Sequence, residues 1–293
     1  MQGNRFRWIV GGAVAWGLWR QWQRRQVPAF STAMGPGTAV ITGASSGLGA
    51  EFARQLAEAG YNLVLTARRQ ARLQTLAADL VTQYGVAVKI IAADLAELET
   101  IAHLEKVIDE LDDLALLVNN AGFGTPGKLV DLSVASQMAM LTVQVTAPMR
   151  LTKAALPGLL RRGSGGVINV SSLAAYFATP GDPNYNASKA YLKHFSEGVN
   201  RELAGSGVHV QALIPGFTYT EFHDTPQYEQ FTRSQIPRFF WMDAQPVVAD
   251  SLRLLPTGQS VVVPGWLYKG ITGLADMGFN RLLLDLFYRM AQW

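Results

Sequence analysis

Seven short apolar runs recur along the chain, and segments with helical spacing of their apolar residues separate them. Residues 39–41, 61–67, 86–93, 114–118, 167–170, 208–214 and 260–263 read as strands. The first leads through a polar, glycine-rich stretch into an apolar-periodic helix at 48–59 that stops at Gly60. Regular alternation of this kind predicts an α/β fold, one parallel sheet with helices on both faces. In such sheets ligands gather outside the carboxyl ends of the strands. The polar residues that follow each run are therefore where chemistry is expected.

After the first strand comes TGASSGLG, residues 42–49. Gly43 permits a tight turn, Gly47 lets backbone approach a pyrophosphate, and Gly49 lets the helix pack on the sheet. Ser45, Ser46 and Leu48 lie in the same loop, where the helix N-terminus offers free N–H groups and a positive dipole to phosphates. The spacing is G-x-x-x-G-x-G, and its strand–loop–helix setting is the one such a loop requires. The second strand ends at Arg68-Arg69 with no carboxylate. An acid at this point would suit a ribose 2′-hydroxyl, whereas a guanidinium pairs with a 2′-phosphate. Arg68 is the expected contact and NADPH (NADP+) the expected cofactor.

The sequence YNASK places Tyr185 and Lys189 at i,i+4, one turn apart on one helix face. A phenol titrates near pH 10 and is a poor acid or base at neutrality. A fixed ammonium beside it favours the phenolate. The pair can then exchange a proton with a carbonyl or alcohol oxygen. Ser172, which follows the fifth strand, can hold that same oxygen. Asp94-Leu95, Asn119-Asn120-Ala121-Gly122 and Pro215-Gly216 follow the third, fourth and sixth strands.

From about residue 37 to 265 the chain resembles the short-chain dehydrogenase/reductase family, through TGASSGLG, Asp94-Leu95, NNAG, Ser172 with YNASK, and PGFTYT at 215–220. The resemblance implies a single doubly wound Rossmann domain with a seven-stranded parallel sheet. It implies that Tyr185 is the acid/base and that Lys189 binds the nicotinamide ribose and lowers the tyrosine pKa. Ser172 would bond the substrate oxygen. Asp94 would meet the adenine region, Asn120, Ala121 and Gly122 would line the cofactor, and Thr218 or Thr220 would reach its carboxamide or phosphates. One position departs: Gln144 stands where the family carries an asparagine that holds a water linked to the lysine. A longer amide there puts the proton relay to solvent in question.

Composition changes the picture at the two ends. Hydrophobic residues make up 49% and charged residues 16%, enough for a sizeable core. There is no cysteine, which excludes thiolate chemistry and disulfides. His103, His194, His209 and His223 have no metal-ligand spacing, so no metal is expected; His223 alone follows the sixth strand near the substrate. The net charge of +3 comes from Arg5, Arg7, Arg20, Arg24 and Arg25, without which 20 basic residues face 22 acidic ones. The body therefore has no nucleic-acid footprint. Between Arg7 and Arg20 lies an uncharged run whose neighbourhood places Trp8, Trp16, Trp19 and Trp22 within about 120° of a helical wheel. Tryptophans and flanking arginines suit a membrane interface. Twelve residues reach only about 18 Å, short of the roughly 30 Å hydrocarbon core. Residues 5–26 are expected to anchor on or in a membrane, with the catalytic domain cytoplasmic; a soluble cytoplasmic protein is the alternative. A cleaved signal peptide fits poorly, because charged residues separate the run from the small residues at 31–33.

Three parts follow: residues 1–36, an apolar and basic helix with its linker; 37–265, the catalytic domain with a substrate loop at 217–243; and 266–293, a helical extension. In that extension Arg281, Asp285 and Arg289 form a polar stripe on an otherwise apolar helix. It has four candidate roles: closing the pocket, meeting a second subunit in a homo-oligomer, touching a membrane, or covering its own core. The expected activity is NADPH-dependent reduction of a ketone or aldehyde in an apolar, lipid-derived substrate, or the reverse oxidation of an alcohol. The alternative is a catalytically idle NADP-binding protein acting as a membrane-tethered sensor or scaffold.

Overall fold

A computed structural model describes residues 34–225, 228, 229 and 231–291, together with Phe30. The tryptophan-rich segment at 5–26 lies outside the described residues. Seven parallel strands form one sheet: β1 (Thr38–Thr42), β2 (Asn62–Ala67), β3 (Val88–Ala92), β4 (Leu114–Asn119), β5 (Gly165–Val170), β6 (Val208–Leu213) and β7 (Val261–Val262). Their spatial order is β3-β2-β1-β4-β5-β6-β7. All six neighbouring pairs run parallel. The expected strands are all present. β3 and β7 are shorter than their apolar runs, because only the paired residues extend the sheet.

The strands are apolar on both sides because helices cover both sides. Along β1, Ala39 and Ile41 pack toward one face and Val40 toward the other. The first face receives α1 (Gly47–Glu58), α2 (Gln70–Tyr84) and α7 (Ala244–Leu254). In α1 the buried stripe Phe52, Ala53, Leu56 and Ala57 has the spacing of an amphipathic helix. The second face receives α3 (Leu98–Asp109) and α5 (Ala147–Arg162), and the later turns of α6 (Pro183–Glu202). A short helix α4 (Val134–Leu141) runs into α5 through one π-helical turn, Thr142–Thr146.

The C-terminal extension, expected to be helical, forms two helices. α8 (Trp266–Asp276) and α9 (Asn280–Ala291) are separated at Gly278, whose φ of 91° is open to glycine and strained for other residues. The apolar spacing continues across the break, so periodicity alone does not reveal it. Tyr268 of α8 is buried and ties the loop after β6 in place. Its hydroxyl accepts from the Phe217 amide at 3.0 Å and donates to the Phe240 carbonyl at 2.5 Å.

Candidate active site

The strand order reverses between β1 and β4, which opens a crevice at their carboxyl ends. Thr42 bridges it: its hydroxyl accepts from the amides of Asn120 at 2.9 Å and Ala121 at 3.0 Å. The Asn120 side chain donates back to the carbonyls of Thr42 and Gly43. The glycine loop is thereby held against the loop after β4. A Cβ on Gly43 would come within 2.8 Å of the Ala121 Cα, and one on Gly49 would collide with the Gly43 carbonyl. Gly43 also has φ +66°. The loop therefore needs glycine, and α1 starts behind it, where the first-turn N–H groups of a helix have no partner within the helix. This cradle fits a dinucleotide.

Ser172, Tyr185 and Lys189 meet beside that cradle. Ser172 lies two residues past β5, with its hydroxyl accepting from the Ala174 amide at 3.1 Å. Pro183 starts α6, so Tyr185 falls in its first turn and Lys189 in the next. Lys189 is buried; its Nζ donates to the Val170 carbonyl at 3.0 Å and lies 5.4 Å from the Tyr185 ring centre. The Ser171 hydroxyl donates to the Lys189 carbonyl at 2.7 Å and fixes the helix to β5. Behind them, Asn119 donates to Asn169 at 2.8 Å, and Asn169 to Ser196 at 2.9 Å. This buried network links β4, β5 and α6.

The titration of the pair departs from expectation. Burial pushes the Tyr185 phenol far above its usual range, and its hydrogen bond with Ser172 opposes this without prevailing. Burial likewise pulls Lys189 down to about 7. The lysine was expected to lower the tyrosine, but loss of hydration penalises both charged forms at once. A phenol kept protonated is the form that can give a proton to a carbonyl oxygen.

The other expected residues divide. Gly43, Ser45, Ser46, Gly47 and Leu48 line the cleft, as do Arg68, Asp94 and Leu95. Asn120, Ala121, Gly122, Pro215, Gly216, Thr218 and Thr220 complete its rim. Arg68 is exposed and pairs loosely with Asp94 at 3.9 Å. Arg69 instead meets the glycine loop, donating to Ser45 at 3.0 and 3.1 Å and to Ser46 at 2.6 Å. Thr218 turns its hydroxyl to the Gly216 carbonyl, while Thr220 covers Gly47. Gln144 is fully buried in the π-helical turn. Its amide donates to the Phe123 carbonyl at 2.9 Å, and its Oε1 has no hydrogen-bond partner.

Beyond Tyr185 the cleft opens into an aromatic cavity, with a combined volume of about 1270 Å³. Phe222 tilts against Tyr185 at 5.9 Å between ring centres. His223 packs among Phe217, Phe231 and Trp241, and burial lowers its pKa to about 4, so it is neutral. Leu283, Leu284 and Leu286 of α9 close the far wall. Two polar side chains here escaped sequence reasoning. A Cβ on Gly124 would collide with the Tyr228 hydroxyl and lie 3.1 Å from Asp182 Oδ2, so both oxygens crowd one point near Tyr185. Burial raises Asp182 to about 6. Its position three residues before Tyr185 was the only available signal. Among the described residues no cluster of three side chains could hold a metal ion.

A glycine cradle at the switch point of a parallel sheet, with a serine, tyrosine and lysine converging beside it, defines a dinucleotide-dependent oxidoreductase. The sequence matches the short chain dehydrogenase family over residues 37–229. The chain belongs to that family, whose members act on alcohol and carbonyl groups. It is 31% identical over 242 residues to a very-long-chain 3-oxoacyl-CoA reductase of Anas platyrhynchos, covering 78% of this chain and 75% of that protein. It is 34% identical over 185 residues to the human inactive hydroxysteroid dehydrogenase-like protein 1, covering 62% and 56%. A short-chain dehydrogenase from Sphingobium yanoikuyae, solved in complex with NADPH, superposes with a TM-score of 0.75 at 32% identity over 85% of this chain and 96% of that one.

Proposed function

We propose that the protein reduces the carbonyl of a long apolar, lipid-derived substrate with NADPH. The observation that carries this reading is the convergence of Ser172, Tyr185 and Lys189 at the mouth of an aromatic and aliphatic cavity. The 3-oxoacyl-CoA reductase relative supports a lipid-related carbonyl, and the NADPH complex of the structural relative supports the cofactor. The glycine loop and Lys189 would hold NADPH, which when bound would supply the hydride that the carbonyl carbon receives. Ser172 holds the carbonyl oxygen, and the Tyr185 hydroxyl gives it a proton as negative charge develops. Lys189 holds the ribose and replaces the phenol proton. Arg69, with Ser45 and Ser46, supplies a cationic edge suited to a 2′-phosphate. Residues 5–26 attach the chain to a membrane and leave the catalytic domain on the cytoplasmic side.

One observation favours the idle alternative: Gln144, at the position where the family resemblance implies a water-holding asparagine, turns its amide to the Phe123 carbonyl and leaves its buried Oε1 without a partner. Tyr185→Phe separates the two readings. The enzyme reading expects kcat for a 3-keto lipid to fall about 10²- to 10⁴-fold with NADPH affinity unchanged. A wild-type protein that binds NADPH but turns over no ketone or aldehyde would support the idle reading. A Phe variant retaining more than about a tenth of wild-type kcat, with chemistry rate-limiting, would remove Tyr185 from the role.

A further inference from the structure

Glu221 lies in the loop after β6, 152 residues beyond Arg69, yet its carboxylate closes on the edge of the glycine loop. Its Oε2 accepts from Arg69 at 2.9 Å and from Arg72 at 2.5 Å, and its Oε1 accepts from Arg72 at 2.7 Å. Arg69 holds Ser45 and Ser46 at the same time. Two guanidinium groups thus hold one anion, and one of them, Arg69, also binds two hydroxyls, beside the strand end where a 2′-phosphate would belong. The neighbouring Thr220 covers Gly47. Arg233 steadies the same turn through the Thr220 carbonyl at 2.9 Å and Asp224 at 2.6 Å. The arginine and glutamate side chains are each about half exposed, from 43% to 50%, which makes the contact reversible.

We propose that Glu221 is a cofactor-discriminating latch, an internal anion in the cradle that receives the NADPH 2′-phosphate. A carboxylate and a phosphate repel each other there, so phosphate entry displaces Glu221 from Arg69 and Arg72. NADH carries no such phosphate and leaves the latch closed. Release removes one of the tethers of the turn at 220–225, which carries Phe222 and His223 into the substrate wall and is then held by Arg233 alone among those described above. Binding of the correct cofactor is thereby coupled to the shape of the substrate cavity. The inference rests on the NADPH reading given above.

The test uses the full chain and measures binding without turnover. Isothermal titration with NADPH, NADH, adenosine 2′,5′-bisphosphate and adenosine 5′-monophosphate is compared between wild type and Glu221→Gln. The variant should tighten NADPH and the bisphosphate by about 3- to 30-fold, an effect that shrinks as salt rises. NADH and the monophosphate should stay within about twofold. In the wild-type protein, the bisphosphate but not the monophosphate should speed chymotryptic cleavage around Phe222 and Tyr228. Unchanged or weaker NADPH binding in the variant overturns the latch, as does cleavage that the bisphosphate leaves unchanged or slows. A wild-type protein with no preference for the bisphosphate over the monophosphate would overturn the NADPH reading instead.

Discussion

Around the reacting oxygen, burial sets which side chains carry protons. Tyr185 stays a neutral phenol, Lys189 approaches neutrality near pH 7, and Asp182 keeps its proton until about pH 6. Asp182 has a consequence for stability. An unfolded chain releases that proton near pH 4. Between about pH 4 and 6 the folded protein binds more protons than the unfolded chain, so stability falls as pH rises through this window. Asp182→Asn keeps an acceptor for the amides of Thr125 and Tyr185 and removes the buried charge. Its melting temperature should exceed that of wild type by about 2–3 °C at pH 7.5 and by much less at pH 4.5. Equal shifts at both pH values, by thermal scanning, would mean that Asp182 carries no buried-charge penalty.

At the scale of elements, the site depends on where helices begin and bend. Because α6 starts at Pro183, Tyr185 and Lys189 both lie within the helix, where their i,i+4 spacing puts them on one face. The π-helical turn between α4 and α5 carries Gln144 inward; such turns are common at functional sites. α9 places apolar side chains on the cavity wall. A charge there should penalise a long tail more than a short one. Leu284→Asp is expected to raise KM for a long-chain 3-keto substrate about tenfold or more, in line with burial of a leucine-sized contact. For a short ketone the change should stay under about threefold. Equal effects on both substrates would show that α9 does not contact the tail.

For the whole molecule, the sheet gathers residues from six strand ends into one cleft. No helix among the described residues is long and apolar enough to cross a membrane. The attachment proposed above is assigned to residues 5–26 on their sequence, and those residues lie outside the described ones. The full-length protein should sediment with membranes and resist salt extraction. A chain beginning at Ala33 should stay in solution and keep its activity, since β1 starts at Thr38. Full-length protein in the soluble fraction at low salt would sink the membrane reading.

The parallel sheet, the glycine loop and the Tyr185–Lys189 pair were legible in the sequence because each rests on local spacing, and Ser172 joined them through the family resemblance. Strand length, the turn chemistry of Gly43 and the i,i+4 pair on α6 are short-range matters. The break at Gly278 was less legible, because apolar periodicity runs straight through it. Other features belong to the tertiary structure alone. Arg68 and Arg69 are adjacent and chemically alike, and only packing decides that Arg69 reaches Ser45 and Ser46. The sign of the Tyr185 shift follows from its burial, which no local motif encodes. Glu221 meets Arg69 and Arg72 only because the chain returns, 152 and 149 residues later, to the same edge of the sheet. Local patterns specify which elements form and which side chains share a face. Contacts between distant segments depend on how those elements are brought together, and here that assembly decides which charges face the cofactor.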